Sequence, residues 1–444
     1  MSQITSEIMK AKSAALVLAT LNTETKNNAL KAMMKALDEN RKEILKANDT
    51  DISNAENVIQ RSELSDSLIK RLKVNDEKIS GMIDGIKDVI KLSDPVGETI
   101  STLKLDEELI LYQIKCPIGM LGVIFESRPD VVPQILSLCL KSGNGVAFKG
   151  GSEASNSNKA LFDILVGAIA SAGVPKEAFV LMETREDIRQ ILRMQKYIDL
   201  LIPRGSNEFV KYIQNNTKIP VLGHSSGICH IYVDDEADVD LALAVTLDSK
   251  IQYPAVCNAV ETLLVNSKIA NKFIPRMAEM FKENNVEIRV DKRAMDSIPK
   301  DVSVVKAKKK DWDEEYNDLI ISIAIVDGLE EAISFINRHG SHHTDAIITK
   351  NKDKQSEFVR SVDSADVFIN ASTRFSDGFR YGKGAEVGIS TNKIHSRGPV
   401  GMEGLMIYKY VLIGNGQVVK DYVGKDAKKF LHQKMIRSTV SDLK

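Results

Sequence analysis

Apolar residues in positions 4–48 recur at helical spacing: Ile4, Ile8, Ala11, Ala15 and Leu18, then Leu30, Met33, Leu37 and Ile44. Side chains three and four apart share one helix face, so two helices are expected, parted by capping residues at 22–25. Helical patterning continues over 65–92 and stops at Asp94-Pro95. The period then changes. Residues 109–114 and 122–126 read as strands, after which helices and strands alternate: helix 130–141 with strand 146–149, helix 153–172 with strand 179–182, helix 185–194 with strand 200–203, and helix 206–216 with strand 228–233. Strands separated by helices of this length predict βαβ units and a parallel, doubly wound α/β sheet. A second series follows residue 257, with strand 262–265, helix 268–283 and strands 346–349 and 367–370; residues 408–413 and 416–419 read as closing strands.

The 444 residues suffice for two or three domains with ample core. Sixty Lys and Arg against 61 Asp and Glu give a near-neutral balance, which argues against a general nucleic-acid or anionic-membrane role. No apolar run approaches bilayer length, and the first residues lack the layout of a signal peptide. The four cysteines, at 116, 139, 229 and 257, show no paired spacing and are read as thiols in a reducing, cytoplasmic setting. Without C-x-x-C, and with seven scattered histidines, no metal site is expected. The lysine-rich residues 306–310 run into Asp311, Asp313, Glu314 and Glu315 and are read as a solvated loop.

Chemistry concentrates in Gln252-Tyr-Pro-Ala-Val-Cys257-Asn258-Ala-Val-Glu261-Thr-Leu-Leu-Val. A thiol in a loop just before a buried strand is rigidly framed while its sulfur can face a cleft, the placement that nucleophilic catalysis needs. The competing reading is a packed free cysteine. Upstream, Lys149-Gly-Gly151-Ser152 lies at the carboxyl end of a strand and before a helix, the edge where open α/β sheets bind ligands. Its glycines permit close approach, the helix start favours an anion and Lys149 adds charge. Arg204-Gly205-Ser206 repeats that layout two units later.

These residues resemble the gamma-glutamyl phosphate reductase (glutamate-5-semialdehyde dehydrogenase) family, the proline-biosynthesis branch of the aldehyde dehydrogenase superfamily. The resemblance spans nearly the whole chain. It runs through Cys116-Pro-Ile-Gly119, Gly122-Val-Ile-Phe-Glu-Ser-Arg-Pro129, Lys149-Gly-Gly-Ser-Glu-Ala154, Ile202-Pro-Arg-Gly205, Gly227-Ile-Cys-His-Ile-Tyr-Val-Asp234 and the Cys257 segment. Gly340-Ser-His-His-Thr-Asp-Ala346, Asn370-Ala-Ser-Thr-Arg-Phe375, Gly384-Ala-Glu-Val-Gly-Ile-Ser-Thr391 and His395-Ser-Arg-Gly-Pro399 complete it. It implies an aldehyde-dehydrogenase-like fold of two doubly wound parallel-sheet domains plus a small β oligomerisation element. Residues 1–104 and 116–252 would bind NADP, 253–404 would carry the nucleophile, and 105–115 with 405–444 would give oligomerisation strands and a C-terminal tail. A homodimer or larger homo-oligomer follows.

The implied reaction is NADPH-dependent reduction of L-glutamyl 5-phosphate to L-glutamate 5-semialdehyde and phosphate through a thioester on Cys257. The backbone N–H of Cys257 and a side-chain donor would stabilise charge on the carbonyl oxygen. The superfamily's Pro-Trp-Asn donor motif is replaced here by Glu126-Ser-Arg128-Pro, leaving Arg128 and Asn258 as candidates. The Glu-Leu-Gly-Gly glutamate that activates water in hydrolytic members is also missing; the region reads Gly223-His-Ser-Ser-Gly-Ile-Cys-His230. A phosphorylating reductase has no use for activated water, since hydrolysis would waste the acyl group.

By the same resemblance Lys149, Gly151 and Ser152 would meet the adenosine ribose, Gly205 and Ser206 the pyrophosphate, and Glu315 the nicotinamide ribose. Ser152, where NAD-preferring members often carry glutamate, implies NADPH. Arg128 and Arg374 are candidates for the substrate carboxylate, Glu386 for its ammonium, and His342, with His343 beside it, for the leaving phosphate or a structural role. Cys116, Cys139 and Cys229 are read as structural. Three alternatives stay open: an NAD-dependent hydrolytic dehydrogenase of a small amino-acid semialdehyde, a binding protein that kept only the fold, and a cysteine hydrolase pairing Cys257 with His342 or His343. The labile acyl phosphate also suggests a transient complex with glutamate 5-kinase.

Overall fold

The computed structural model describes residues 2–59, 69, 71–126, 128–224 and 226–435. Three helices open the chain: α1 (Gln3–Leu18), α2 (Thr23–Glu39) and α3 (Arg41–Ile59). The periodicity predicts two. The extra break falls at Asn40, whose backbone leaves the helical region while its side-chain amide donates to the Ala36 carbonyl, the local bonding that makes asparagine a poor helix-interior residue. Of the helix expected over 65–92, residues 65–68 and 70 lie outside the described residues. Its clear portion, α4 (Asp76–Lys91), starts where the Asn75 side chain accepts from the Lys78 N–H at 2.9 Å.

The first compact unit comprises Met1–Gly205, Tyr212–Val221 and Gly401–Lys444, as far as they are described. Its parallel sheet has the order β5-β4-β3-β6, from β3 (Met120–Phe125), β4 (Gly145–Lys149), β5 (Phe179–Leu181) and β6 (Leu200–Arg204), with α5 (Val131–Ser142), α6 (Ser155–Ser171) and α7 (Arg185–Ile191) in the connections. Every residue of β3 and β4 is buried, as a parallel sheet covered on both faces requires. A second, antiparallel sheet in this unit has the order β16-β2-β1-β17, made of β1 (Thr99–Asp106), β2 (Leu109–Pro117), β16 (Met406–Ile413) and β17 (Gln433–Lys434). The strand expected at 416–419 does not form. Gly416 adopts φ +86°, a left-handed turn, and Val419–Tyr422 coils into a 3₁₀ turn. Helix α8 (Asn207–Asn216) follows β6.

The second unit comprises Ser206–Lys211 and Leu222–Val400. Seven parallel strands form its sheet in the order β10-β9-β11-β8-β7-β12-β13. In chain order the elements are β7 (Cys229–Val233), α9 (Val239–Ile251), β8 (Val260–Asn266), α10 (Ala270–Glu283), β9 (Glu287–Val290), β10 (Val305–Lys306), β11 (Ile320–Val326), α11 (Leu329–His339), β12 (Thr344–Ile348), α12 (Lys352–Ser361) and β13 (Asp366–Ile369), then a short pair, β14 (Gly388–Ser390) and β15 (Gly398–Val400). The alternation of a strand is visible across it. Ile231, Val233, Leu263, Val265 and Ile323 face a core shared with α9 and α10, while Tyr232, Leu264, Ala324 and Ile347 face one shared with α11 and α12.

The boundary between units differs from the expected one at 252. Residues 222–252 belong to the second unit, because β7 hydrogen-bonds between β8 and β12 rather than to the first sheet. Run length and flanking turn residues mark a buried parallel strand, but nothing in the pattern says which sheet the strand joins.

Candidate functional site

Sheet order explains how distant residues meet. β7 lies between β8 and β12, so the segments entering these three strands share one edge. Cys257 precedes β8, Gly227 and Cys229 lie at the entry to β7, and His343 is the last residue before β12. Cys257 is half-buried in the loop ahead of β8, fixed by an Ala259 N–H to Val256 carbonyl bond of 3.0 Å. His343 is fully buried, and its Nε2 stands 3.2 Å from the Cys257 sulfur. Its Nδ1 lies 2.8 Å from the Thr344 hydroxyl; with that hydroxyl accepting, the ring lone pair faces the thiol. The ring of His224 meets that of His343 edge-on with centroids 5.2 Å apart, and its Nδ1–H donates to the Ile389 carbonyl at 3.1 Å.

Gly227 is a packing necessity. A Cβ there would stand 2.2 Å from the Cys257 carbonyl oxygen and 2.5 Å from its Cα. Cys229, fully buried, donates its thiol to the Cys257 carbonyl at 3.2 Å and lies 3.8 Å from His343 Nδ1. Burial chiefly, then the charge of Asp345, pushes its pKa well above the ordinary thiol range, so it stays protonated as a donor that fixes the backbone of Cys257. Behind the edge, Asp345 accepts from both the backbone N–H and the Nδ1 of His230 at 2.8 Å and from the Ser364 hydroxyl, tying β12 to β7.

The other expected residues of this unit divide. Asn258 is buried; its amide donates to the Ser376 carbonyl at 2.7 Å and its Oδ1 has no protein partner. Arg374 is buried too, its Nε donating to Gln252 at 2.8 Å, and burial first, then Arg380, lowers its pKa from the ordinary arginine value while the Cys257 thiolate raises it. Glu386 is half-buried and accepts from the Gly378 N–H at 3.0 Å. His342 turns away to donate from Nδ1 to the Asp363 carbonyl at 2.6 Å, so of the adjacent histidines it is His343 that meets the thiol. Glu315 accepts from the Asn207 amide at 2.6 Å, and the hydroxyl of Ser206 accepts from the Phe209 N–H at 3.4 Å as α8 begins. Sequence spacing offers no signal for His224; Cys229, read as structural, is buried and holds the backbone of Cys257.

In the first unit, Lys149, Gly150, Gly151, Ser152 and Lys159 line a cavity of about 230 Å³ at the carboxyl end of β4. The Lys149 ammonium is buried and donates to the Gly150 carbonyl. Ser152 is exposed, but the carboxylate of Glu153 folds against Gly151, where a Cβ would meet it at 2.0 Å. A buried cation over bare glycine backbone suits the sugar-phosphate of a dinucleotide. Gly205 follows the strand that ends at Arg204 and is exposed, as is Arg128.

The chain and its fold correspond to known proteins. The family model of the aldehyde dehydrogenases matches residues 2–297. The gamma-glutamyl phosphate reductase of Methanosarcina mazei is 61% identical over 437 residues, 98% of each chain. That of Pelotomaculum thermopropionicum is 52% identical over 96% of each chain. The crystal structure of the gamma-glutamyl phosphate reductase from Thermotoga maritima superposes with a TM-score of 0.90 at 39% identity, covering 94% of this chain and 100% of that one. The chain belongs to the aldehyde dehydrogenase family and, within it, to the gamma-glutamyl phosphate reductases.

Proposed function

We propose that the protein reduces L-glutamyl 5-phosphate to L-glutamate 5-semialdehyde with release of phosphate, the second step of proline biosynthesis from glutamate, with Cys257 as nucleophile and NADPH as reductant. The observation that carries this reading is the Cys257 thiol held 3.2 Å from an imidazole nitrogen, in a chain of this family. The Nε2 of His343 takes the thiol proton, and the resulting thiolate attacks the acyl carbon. Phosphate departs with the electrons of its C–O bond, leaving a thioester on Cys257. A bound nicotinamide cofactor would supply the hydride equivalent that takes the thioester to the aldehyde level. The Cys257 sulfur then leaves as thiolate and regains its proton. Throughout, the backbone N–H of Cys257 and the second amide proton of Asn258, the first being held by Ser376, serve the carbonyl oxygen; Arg128 is the other candidate for that donor or for the carboxylate.

Gln252 holds Arg374 by its Nε, directing the terminal nitrogens to the substrate α-carboxylate, with Glu386 for the ammonium. Lys149, Gly151, Ser152, Gly205, Ser206 and Glu315 would hold the cofactor, and Lys149 and Lys159 supply positive charge for the additional phosphate of NADPH. Exposed Tyr408, Tyr410 and Leu412 along edge strand β16 support self-association, and none of the described helices is long and apolar enough to cross a membrane. A cytoplasmic enzyme and a transient hand-off from glutamate 5-kinase fit a labile acyl phosphate.

The test runs the reaction backwards. Purified protein receives glutamate semialdehyde and NADP with and without phosphate, and the reduced cofactor is followed by absorbance. Turnover should need phosphate and vanish in Cys257→Ala; phosphate-independent turnover would instead identify a hydrolytic dehydrogenase.

A further inference from the structure

We propose that His224, Cys257 and His343 together bind one soft divalent cation, Zn²⁺ in particular, which reversibly caps the thiol. One ligand atom from each residue lies within 4.8 Å of the other two. In a tetrahedral zinc site with Zn–S of about 2.3 Å and Zn–N of about 2.0 Å, neighbouring ligand atoms stand roughly 3.3–3.6 Å apart. Cys257 Sγ and His343 Nε2, at 3.2 Å, stand within a few tenths of an ångström of that spacing. The half-buried His224, whose ligand atom lies within 4.8 Å of both, is the member that would have to close in, by about an ångström.

The outer contacts fit as well. Imidazoles that bind metals usually give their second nitrogen to a protein oxygen, which fixes the ring and its tautomer. His224 gives Nδ1–H to the Ile389 carbonyl, which leaves its lone pair on Nε2, and His343 has Nδ1 at the Thr344 hydroxyl. One sulfur and two nitrogens select zinc, cobalt or cadmium over magnesium or calcium. Three protein ligands leave a fourth position open to water or to phosphate. The other cluster of candidate ligands among the described residues, Asp234, Asp235 and Glu236, is already bridged by the Lys354 ammonium and makes no comparable site.

On binding, the S–H bond of Cys257 breaks, its proton passes to solvent, and the sulfur lone pair is given to the cation. That pair is then unavailable for attack on an acyl phosphate, so zinc competes with substrate and a chelator restores turnover. The inhibition rests on the nucleophile role proposed for Cys257; the metal site itself does not.

Co²⁺ serves as the spectroscopic probe. Titrating reduced protein, free of substrate and cofactor, should give one equivalent of tetrahedral cobalt with a thiolate charge-transfer band in the near ultraviolet, displaced by Zn²⁺ and not by Mg²⁺. Cys257→Ser should abolish that band, and alkylating wild-type protein with iodoacetamide should do the same without any substitution that could disturb folding. His224→Ala should weaken zinc binding by about ten-fold or more. No saturable spectrum below millimolar cobalt, or a spectrum that survives alkylation, would overturn the site. If the spectrum is absent while Cys257→Ala still abolishes reduction, the metal site falls and the nucleophile stands. A cobalt spectrum without zinc inhibition would overturn the capping.

Discussion

The imidazole of His343 and the thiol of Cys257 stand 3.2 Å apart although 86 positions separate them in the chain. They meet because β8 and β12 flank β7, and each residue lies just ahead of its strand. Replacing His343 by Gln should slow thioester formation by about 10²–10⁴-fold, the usual worth of a positioned proton acceptor. Iodoacetamide should alkylate Cys257 correspondingly slowly at neutral pH, and the deficit should shrink as hydroxide takes over deprotonation. Wild-type alkylation rates in the variant would remove His343 from this role.

Gly227→Ala should cripple the enzyme without unfolding it. The added methyl group would meet the Cys257 carbonyl oxygen at 2.2 Å, so the nucleophile loop must shift. Misplacement by an ångström costs on the order of 10²-fold in rate. Turnover and thermal melting measured side by side check this: activity should fall far more than stability, and an active variant would refute the close approach.

The ion pair Lys250–Glu261, at 2.7 Å with neither side chain exposed, makes stability depend on pH. Burial outweighs the attraction of Lys250 and pushes Glu261 up to about 7, while burial also lowers Lys250. Because the folded-state value of Glu261 exceeds its unfolded one, its contribution is present below the unfolded carboxyl range and is lost as pH rises through about 7. Lys250→Met leaves a carboxylate without its cation and should cost about 3–5 kcal/mol at pH 8. The loss should be smaller at pH 5.5, where Glu261 keeps its proton. Urea unfolding at the two pH values decides, and equal losses would contradict the assignment.

Arg374→Lys retains the charge but not the fork that grips two carboxylate oxygens. We expect KM for glutamate semialdehyde to rise by about 10–100-fold with a smaller change in kcat, read from steady-state kinetics. An unchanged KM would leave Arg374 as a partner of Gln252 alone.

Lys149→Met should weaken NADP binding by roughly ten-fold or more, since a buried charge-assisted contact contributes about 1.5–3 kcal/mol. Quenching of protein fluorescence during cofactor titration measures it. Equal affinity in the variant would place the cofactor elsewhere.

Much of this was legible in sequence because buried parallel strands advertise themselves. Val146, Ala147 and Phe148 in β4 and Leu263 to Val265 in β8 are unbroken apolar runs bounded by polar turns. The loop bearing Cys257 could be placed for the same reason. Pairing order could not, because β7 carries the same apolar signal whichever sheet it joins; hence the displaced boundary between units and the unforeseen arrival of His224 beside Cys257 and His343. Local backbone choices were equally hidden, as at Asn40 and Gly416.

The adjacent histidines divide their labour. His342 takes the left-handed conformation at φ +60° and anchors to the Asp363 carbonyl, which turns the chain so that His343 enters β12 facing the thiol. One histidine therefore supplies a bend and its neighbour, in the proposed mechanism, a base. Randomising position 342 should return glycine, asparagine and aspartate among active clones and reject valine, isoleucine and proline, whose backbones resist that bend. The second position should accept almost nothing. Two identical neighbours in the primary structure would thus show opposite tolerance, one set by a torsion angle and the other by a proton.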